Sequence, residues 1–202
     1  MVAVILSSKR PSRKPGNSGV SIKTISSREV YRNRWTSMRE DIIERSNGER
    51  GLYGVVDKEP ASIIIPLERT PEGDFLYLVE QFRYTIQRRA KEFPQGSWEG
   101  TAAEPEDLAR GELSEETGMS AGRMTHLGTL QIAYGVMCQK QHAFLAEDLS
   151  PGATQPDPEE HDLVVHRVSV ADFERMLLDG TIVDGCTVAA WGLYLVWRGQ
   201  HG

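Results

Sequence analysis

Gly100 to Gly118 reads GTAAEPEDLARGELSEETG, and within it Glu112, Glu115 and Glu116 stand at i, i+3 and i+4. On a helix of about 3.6 residues per turn, these side chains share one face. Three like charges so placed repel one another and weaken the helix unless a cation sits among them. Hard divalent cations such as Mg²⁺ take carboxylate oxygens and share their remaining positions with substrate phosphates. The flanks predict a loop and then a helix. Pro105 suits a first turn, and Glu104, Glu106 and Asp107 favour the positive end of the helix dipole. Leu108, Ala109 and Leu113 supply an apolar side, and Gly118 suits a C-terminal cap. Gly111 in mid-helix costs about 1 kcal/mol relative to Ala.

The 202 residues suit one domain with an appended N-terminal piece. The chain is 39% hydrophobic and 26% charged, as soluble globular proteins are. A net charge of −6 argues against a nucleic-acid partner. No apolar run approaches the length of a membrane span. The opening MVAVILSSKRPSRK puts its apolar run before its charges, the reverse of a secretory signal. Cys138 and Cys186 suggest neither a disulfide framework nor a zinc site, and both are expected to be buried thiols. The expected compartment is the cytoplasm.

Residues 1–25, rich in Ser, Lys, Arg, Gly and Pro, read as a flexible basic arm. Residues 26–58 read as a β extension, with strands at 37–45 and 51–57 about the turn Ser46-Asn47-Gly48. Residues 59–202 form the main domain. In it, Ala61 to Leu67 and Phe75 to Phe82 predict a hairpin about Thr70 to Asp74, and Glu92-Phe93-Pro94 an extended piece. Strands are expected again at 124–133, 141–146 and 162–168. Ser169 with Asp172 begins a capping-box-like helix over 170–178 that stops at Gly180. Asp184 caps a last helix running to Trp197, nearly all apolar and packed on the sheet. Mixed strands and scattered helices give an α/β (α+β) sandwich.

Glu112-Leu113-Ser114-Glu115-Glu116-Thr117-Gly118-Met119 resembles the second half of the Nudix box, G-x5-E-x7-R-E-U-x-E-E-x-G-U with U aliphatic. Glu92-Phe93-Pro94-Gln95-Gly96 resembles the lead-in of the ADP-ribose pyrophosphatase branch. Tyr53-Gly54-Val55-Val56, Val79-Glu80-Gln81-Phe82-Arg83-Tyr84, Asp162 to His166 and Asp179 to Ile182 resemble its other segments, in order. The resemblance implies a Nudix-type αβα sandwich with a mixed sheet, plus an antiparallel N-terminal β extension that dimerises. It implies Mg²⁺-dependent hydrolysis, with Mn²⁺ as an alternative, of ADP-ribose or another nucleoside diphosphate sugar. Glu112 and Glu116 are then metal ligands, with Glu115 assisting and the Gln95 backbone carbonyl completing the shell. The general base falls on Glu159, with Glu160 as fallback. Arg83 and Glu92 contact substrate, and Trp35 or Tyr53 stacks on the base, the aromatic acting across a homodimer.

The first half of the box departs from the family. Gly111 stands where the Arg before Glu112 belongs, Ala103 where a Glu belongs, and the spacing from Gly96 is one residue too long. His161 replaces an acid. Arg110 points about 100° away around the helix and is better placed to pair with Glu106 or Asp107. These departures keep two rivals open: a nucleotide-binding protein with little turnover, and a hydrolase of another diphosphate such as a dinucleotide or a coenzyme. Simpler readings stand beside the others. Glu159 and Glu160 read equally as loop acids, Arg88, Arg89 and Lys91 as solvated, Trp35 as packing, and Trp191 and Trp197 as core.

Overall fold

A computed structural model of the chain describes residues 21–97, 104–152 and 162–201. Its centre is the run Ala61 to Leu67, buried at every position. A strand that is apolar without alternation has both faces covered. This strand, β4 (Ala61–Thr70), pairs antiparallel with β5 (Gly73–Arg83) across the expected turn and parallel with β10 (Lys140–Pro151). With β8 (Met119–Gln131) and β11 (Val164–Ser169) at its edges, the sheet runs β11-β5-β4-β10-β8. Two short strands join it: β6 (Arg88–Glu92) on β5 and β7 (Gln95–Gly96) on β4.

The side-chain period of two sorts this sheet into two cores. Ile63, Ile65, Ala143 and Leu145 point to one face, against Phe173 of α2 (Val170–Leu178) and Ala190, Trp191 and Tyr194 of α3 (Gly185–His201). Ile64, Phe144 and Ala146 point to the other, against Ala109 and Leu113 of α1 (Pro105–Thr117). Helices on both faces of a mixed sheet make the αβα sandwich.

The second sheet is four-stranded: β1 (Ile22–Arg32), β2 (Ser37–Arg45), β3 (Arg50–Asp57) and β9 (Met137–Cys138). The first three are antiparallel, and β9 adds in parallel to β3.

Several elements differ from expectation. β1 starts at Ile22, within the segment read as arm; every residue of it is exposed, so no buried face imposes a hydrophobic period. β6 forms in the basic run read as solvated. Arg89 bonds Glu80 and Asp162, and Lys91 bonds Glu80, so cross-strand ion pairs accompany the pairing of β6 with β5. β8 begins immediately after Gly118 and is longer than predicted because it pairs with β10 nearly end to end. α3 buries one stripe only: Val188 and Val196 face solvent. Cys138 is exposed and Cys186 half-buried, against the expectation of buried thiols. Trp35 is exposed rather than packed, under the Arg34 guanidinium at 4.4 Å from its ring. Trp191 is core and Trp197 packs on that core, as expected.

Candidate active site

The α1 helix begins and ends as its sequence directs. Pro105 opens it, its carbonyl accepting the Ser62 hydroxyl of β4 at 2.8 Å. Gly118 closes it at φ 68°, a left-handed conformation that glycine adopts without strain, and its N–H reaches the Ser114 carbonyl. Leu108, Ala109 and Leu113 turn inward, and the same packing carries Glu112 and Glu116 inward too, to 7% and 2% exposure. Glu115 stands half-buried between them. Arg110 turns outward, bonding Glu106 at 2.8 Å and the Ala121 carbonyl at 2.8 Å, so it does not substitute for the Arg that Gly111 replaces.

Opposite the two buried carboxylates runs the segment 92–96. Pro94 accepts the Ile64 N–H at 2.9 Å, and Gln95 and Gly96 pair with Ile63 and Ser62, which fixes this segment to the central strand. The Gln95 N–H donates to Glu116 Oε2 at 3.1 Å. Gly96 lies so close to Glu112 that a Cβ there would overlap its carboxylate. Glycine is required here for close approach, not for backbone angle.

Gln95 and Gly96 also line a cavity of about 590 Å³, whose wall includes Lys58, Arg83, Glu92, Gln141, Asp184 and Cys186. Arg83 Nε donates to Glu92 Oε1 at 2.7 Å. Glu92 is 3% exposed. Burial pushes its carboxyl above the ordinary glutamate range; Arg83 opposes this and Asp184 adds to it. Burial, with Asp184 and Glu92 nearby, pushes the Cys186 thiol up to about 11. Gln95 Nε2 donates to both Glu92 Oε2 at 3.2 Å and Asp184 Oδ2 at 3.0 Å, while Gln95 Oε1 accepts from Gln141 Nε2 at 2.7 Å.

The fold thus brings Arg83, Glu92 and Gln95, from β5, β6 and β7, together with Glu112 and Glu116 of α1. Trp35 does not line this cavity; it sits over a smaller hollow with Arg32 and Asp57, and Lys58 lines both. Tyr53 is also outside the cavity wall, its hydroxyl donating to the Gly135 carbonyl at 2.8 Å. Glu159, Glu160, His161 and Ala103 lie outside the described residues. Among the described residues no group of three or more His, Cys, Asp or Glu converges as a metal cage. The two buried carboxylates still supply the kind of oxygen donor by which Mg²⁺ is usually held, with its other positions left to water and phosphate.

Sequence reasoning missed Asp184 as a wall residue because its capping role already accounted for it. Gln141 and Cys186 gave no signal, since a lone polar residue in a strand and a lone thiol in a helix fit many contexts.

An ADP-ribose pyrophosphatase of Bacillus subtilis (strain 168) is 30% identical over 169 residues, covering 83% of this chain and 89% of that protein. The chain belongs to the ADP-ribose pyrophosphatase family of Nudix hydrolases. Another ADP-ribose pyrophosphatase, from Mycobacterium tuberculosis (strain ATCC 25618 / H37Rv), is 27% identical over 83% of this chain and 80% of its own length. A methanol dehydrogenase activator of Bacillus methanolicus is 25% identical over 83% of this chain and 89% of its own. The nucleoside diphosphate sugar hydrolase N-terminal domain matches residues 22–56, which span β1 to β3. The crystal structure of an ADP compounds hydrolase shares the fold, with TM-score 0.78 at 23% identity over 90% of this chain and 96% of that one.

Proposed function

We propose that this protein hydrolyses the diphosphate bond of ADP-ribose or a related nucleoside diphosphate sugar, releasing a nucleoside monophosphate and a sugar phosphate. The observation that carries the reading is the pair of buried carboxylates, Glu112 and Glu116, set against Gln95–Gly96 at the wall of a cavity that also holds Arg83. The names of the two pyrophosphatase relatives support it.

Glu112, Glu116 and the Gln95 carbonyl would hold Mg²⁺, which supplies charge neutralisation at the diphosphate and acidifies bound water. Glu115, next to Glu116, assists that pair. Arg83 keeps one edge on Glu92 and offers the rest of its guanidinium to a phosphate oxygen. Glu92 fixes that orientation. Glu159 accepts the proton of the attacking water, with Glu160 as the alternative base. Burial excludes bulk water from the two carboxylates and strengthens their pull on a cation.

The active unit is a homodimer. The β1–β3 sheet leaves Ile25, Val30, Tyr31 and Leu52 exposed, and the β1–β2 connection leaves Trp35 exposed, apolar side chains that a second copy would cover. Trp35 then stacks on the substrate base in the partner's cavity. The two free thiols suit a reducing cytoplasm.

A second reading, nucleotide binding with little turnover, is favoured by Gly111 and by the outward pairing of Arg110. A substrate panel separates the readings: ADP-ribose, other nucleotide sugars, dinucleotides and coenzyme A, each with Mg²⁺ and each assayed for released monophosphate. Preferred turnover of nucleotide sugars is expected. Tight binding without products supports the second reading, and preference for a dinucleotide or coenzyme A reassigns the substrate.

A further inference from the structure

Segment 93–96 carries the Glu116 contact, yet much of what holds it comes from the far end of the chain. Thr187, in the first turn of α3, is fully buried, and its Oγ1 accepts the Phe93 N–H at 3.0 Å. The same hydroxyl donates to Asp184 Oδ2 at 2.7 Å. Asp184 Oδ2 also accepts the Thr187 N–H at 2.8 Å and Gln95 Nε2 at 3.0 Å. Capping α3 requires only the bond to the Thr187 N–H. The bond from Gln95 and the relay through Thr187 lead out of the helix to both ends of the Phe93–Gln95 tripeptide.

The Gln95 amide has a single fitting orientation. Its nitrogen donates to Glu92 Oε2 and Asp184 Oδ2, and its oxygen accepts from Gln141. These bonds hold Gln95 from its side chain as well as from its pairing with β4, and its N–H is aimed at Glu116.

We propose that Asp184 and Thr187 are positioning residues: the first turn of α3 clamps segment 93–95 and so sets the orientation of Glu116 and of the Gln95 carbonyl for the metal. This rests on the metal reading of Glu116 given above. Groups that orient metal ligands are worth about 10- to 100-fold in metal affinity or activity when removed. A relay one step further out is expected at the lower end.

The test measures Mn²⁺ affinity by electron paramagnetic resonance of the free ion, without substrate, alongside ADP-ribose kinetics and thermal midpoint. Thr187→Val, which leaves the Phe93 N–H without its acceptor, is expected to weaken Mn²⁺ binding about tenfold and lower kcat by a similar factor. Thr187→Ser is expected to restore both. Asp184→Ser keeps a good helix cap but is too short to reach Gln95. It is expected to weaken Mn²⁺ while the thermal midpoint holds, and it decides the matter if Thr187→Val does not fold. Unchanged Mn²⁺ affinity in folded Asp184→Ser, or no rescue by Thr187→Ser, overturns the clamp alone. A wild type that neither binds Mn²⁺ nor turns over ADP-ribose overturns the metal reading, and the clamp with it.

Discussion

Glu92 is a carboxyl group that the fold buries at a cost to its charged form. Its carboxyl pKa is raised by burial, so the folded protein holds that proton more tightly than the unfolded chain does. The group's contribution to stability is therefore fully present below the ordinary glutamate value of about 4.3 and is lost as pH rises through the raised value. Glu92→Gln has no such titration. Its thermal midpoint is expected to rise relative to wild type between pH 4 and pH 8, as read by calorimetry at each pH. A relative fall would mean that Arg83 outweighs burial. The two thiols differ in the same physical way. Cys186, pushed up to about 11, stays protonated at pH 8, and only thiolate reacts with alkylating agents. Mass spectrometry after brief iodoacetamide treatment is expected to find the label on exposed Cys138 and not on Cys186. Early label on Cys186 would contradict the upward push on its thiol.

At the scale of elements, α1 and the short strand β7 meet without a spacer. Gly96→Ala puts a methyl group where the Glu112 carboxylate lies. Turnover is expected to fall about 10- to 100-fold, with the fold retained, as a displaced ligand shell would give. Wild-type kcat/KM in Gly96→Ala would show that Glu112 can move aside freely. α1 was legible in the sequence because its signals are local: Pro105 at the start, Gly118 at the end, and apolar and acidic stripes between. The cap of α2 was equally legible, the Ser169 hydroxyl taking the Asp172 N–H at 3.0 Å. β1 and β6 were not. One has no buried face, and the other buries only Ala90 and Glu92 among charged residues, so neither writes a period of two. The site was legible for residues inside a family motif. Asp184, Thr187 and Gln141 join it only through contacts 46 to 94 residues distant in sequence, which no local pattern encodes.

At the scale of the molecule, the β1–β3 sheet holds its own ladder yet exposes apolar side chains over its length, which a partner copy would cover. Light scattering is expected to give twice the 22.6 kDa chain mass, and removal of residues 1–36 to give the monomer. A monomeric full-length chain would contradict the dimer. If Trp35 reaches the partner's cavity, Trp35→Ala raises KM for ADP-ribose roughly two- to tenfold, the worth of one aromatic contact, with kcat little changed. An unchanged KM removes Trp35 from the site.

The central claim is that Glu112 and Glu116 serve a metal-dependent cleavage of a diphosphate. The direct measurement is the steady-state rate of AMP release from ADP-ribose against Mg²⁺ concentration for wild type, Glu112→Gln and Glu116→Gln. Wild type is expected to saturate with Mg²⁺ and to stop when the ion is chelated. Each variant is expected to lose about 100-fold or more in rate, beyond the loss typical of groups that only orient metal ligands. A variant as fast as wild type, or wild-type turnover that persists without divalent metal, would contradict the account.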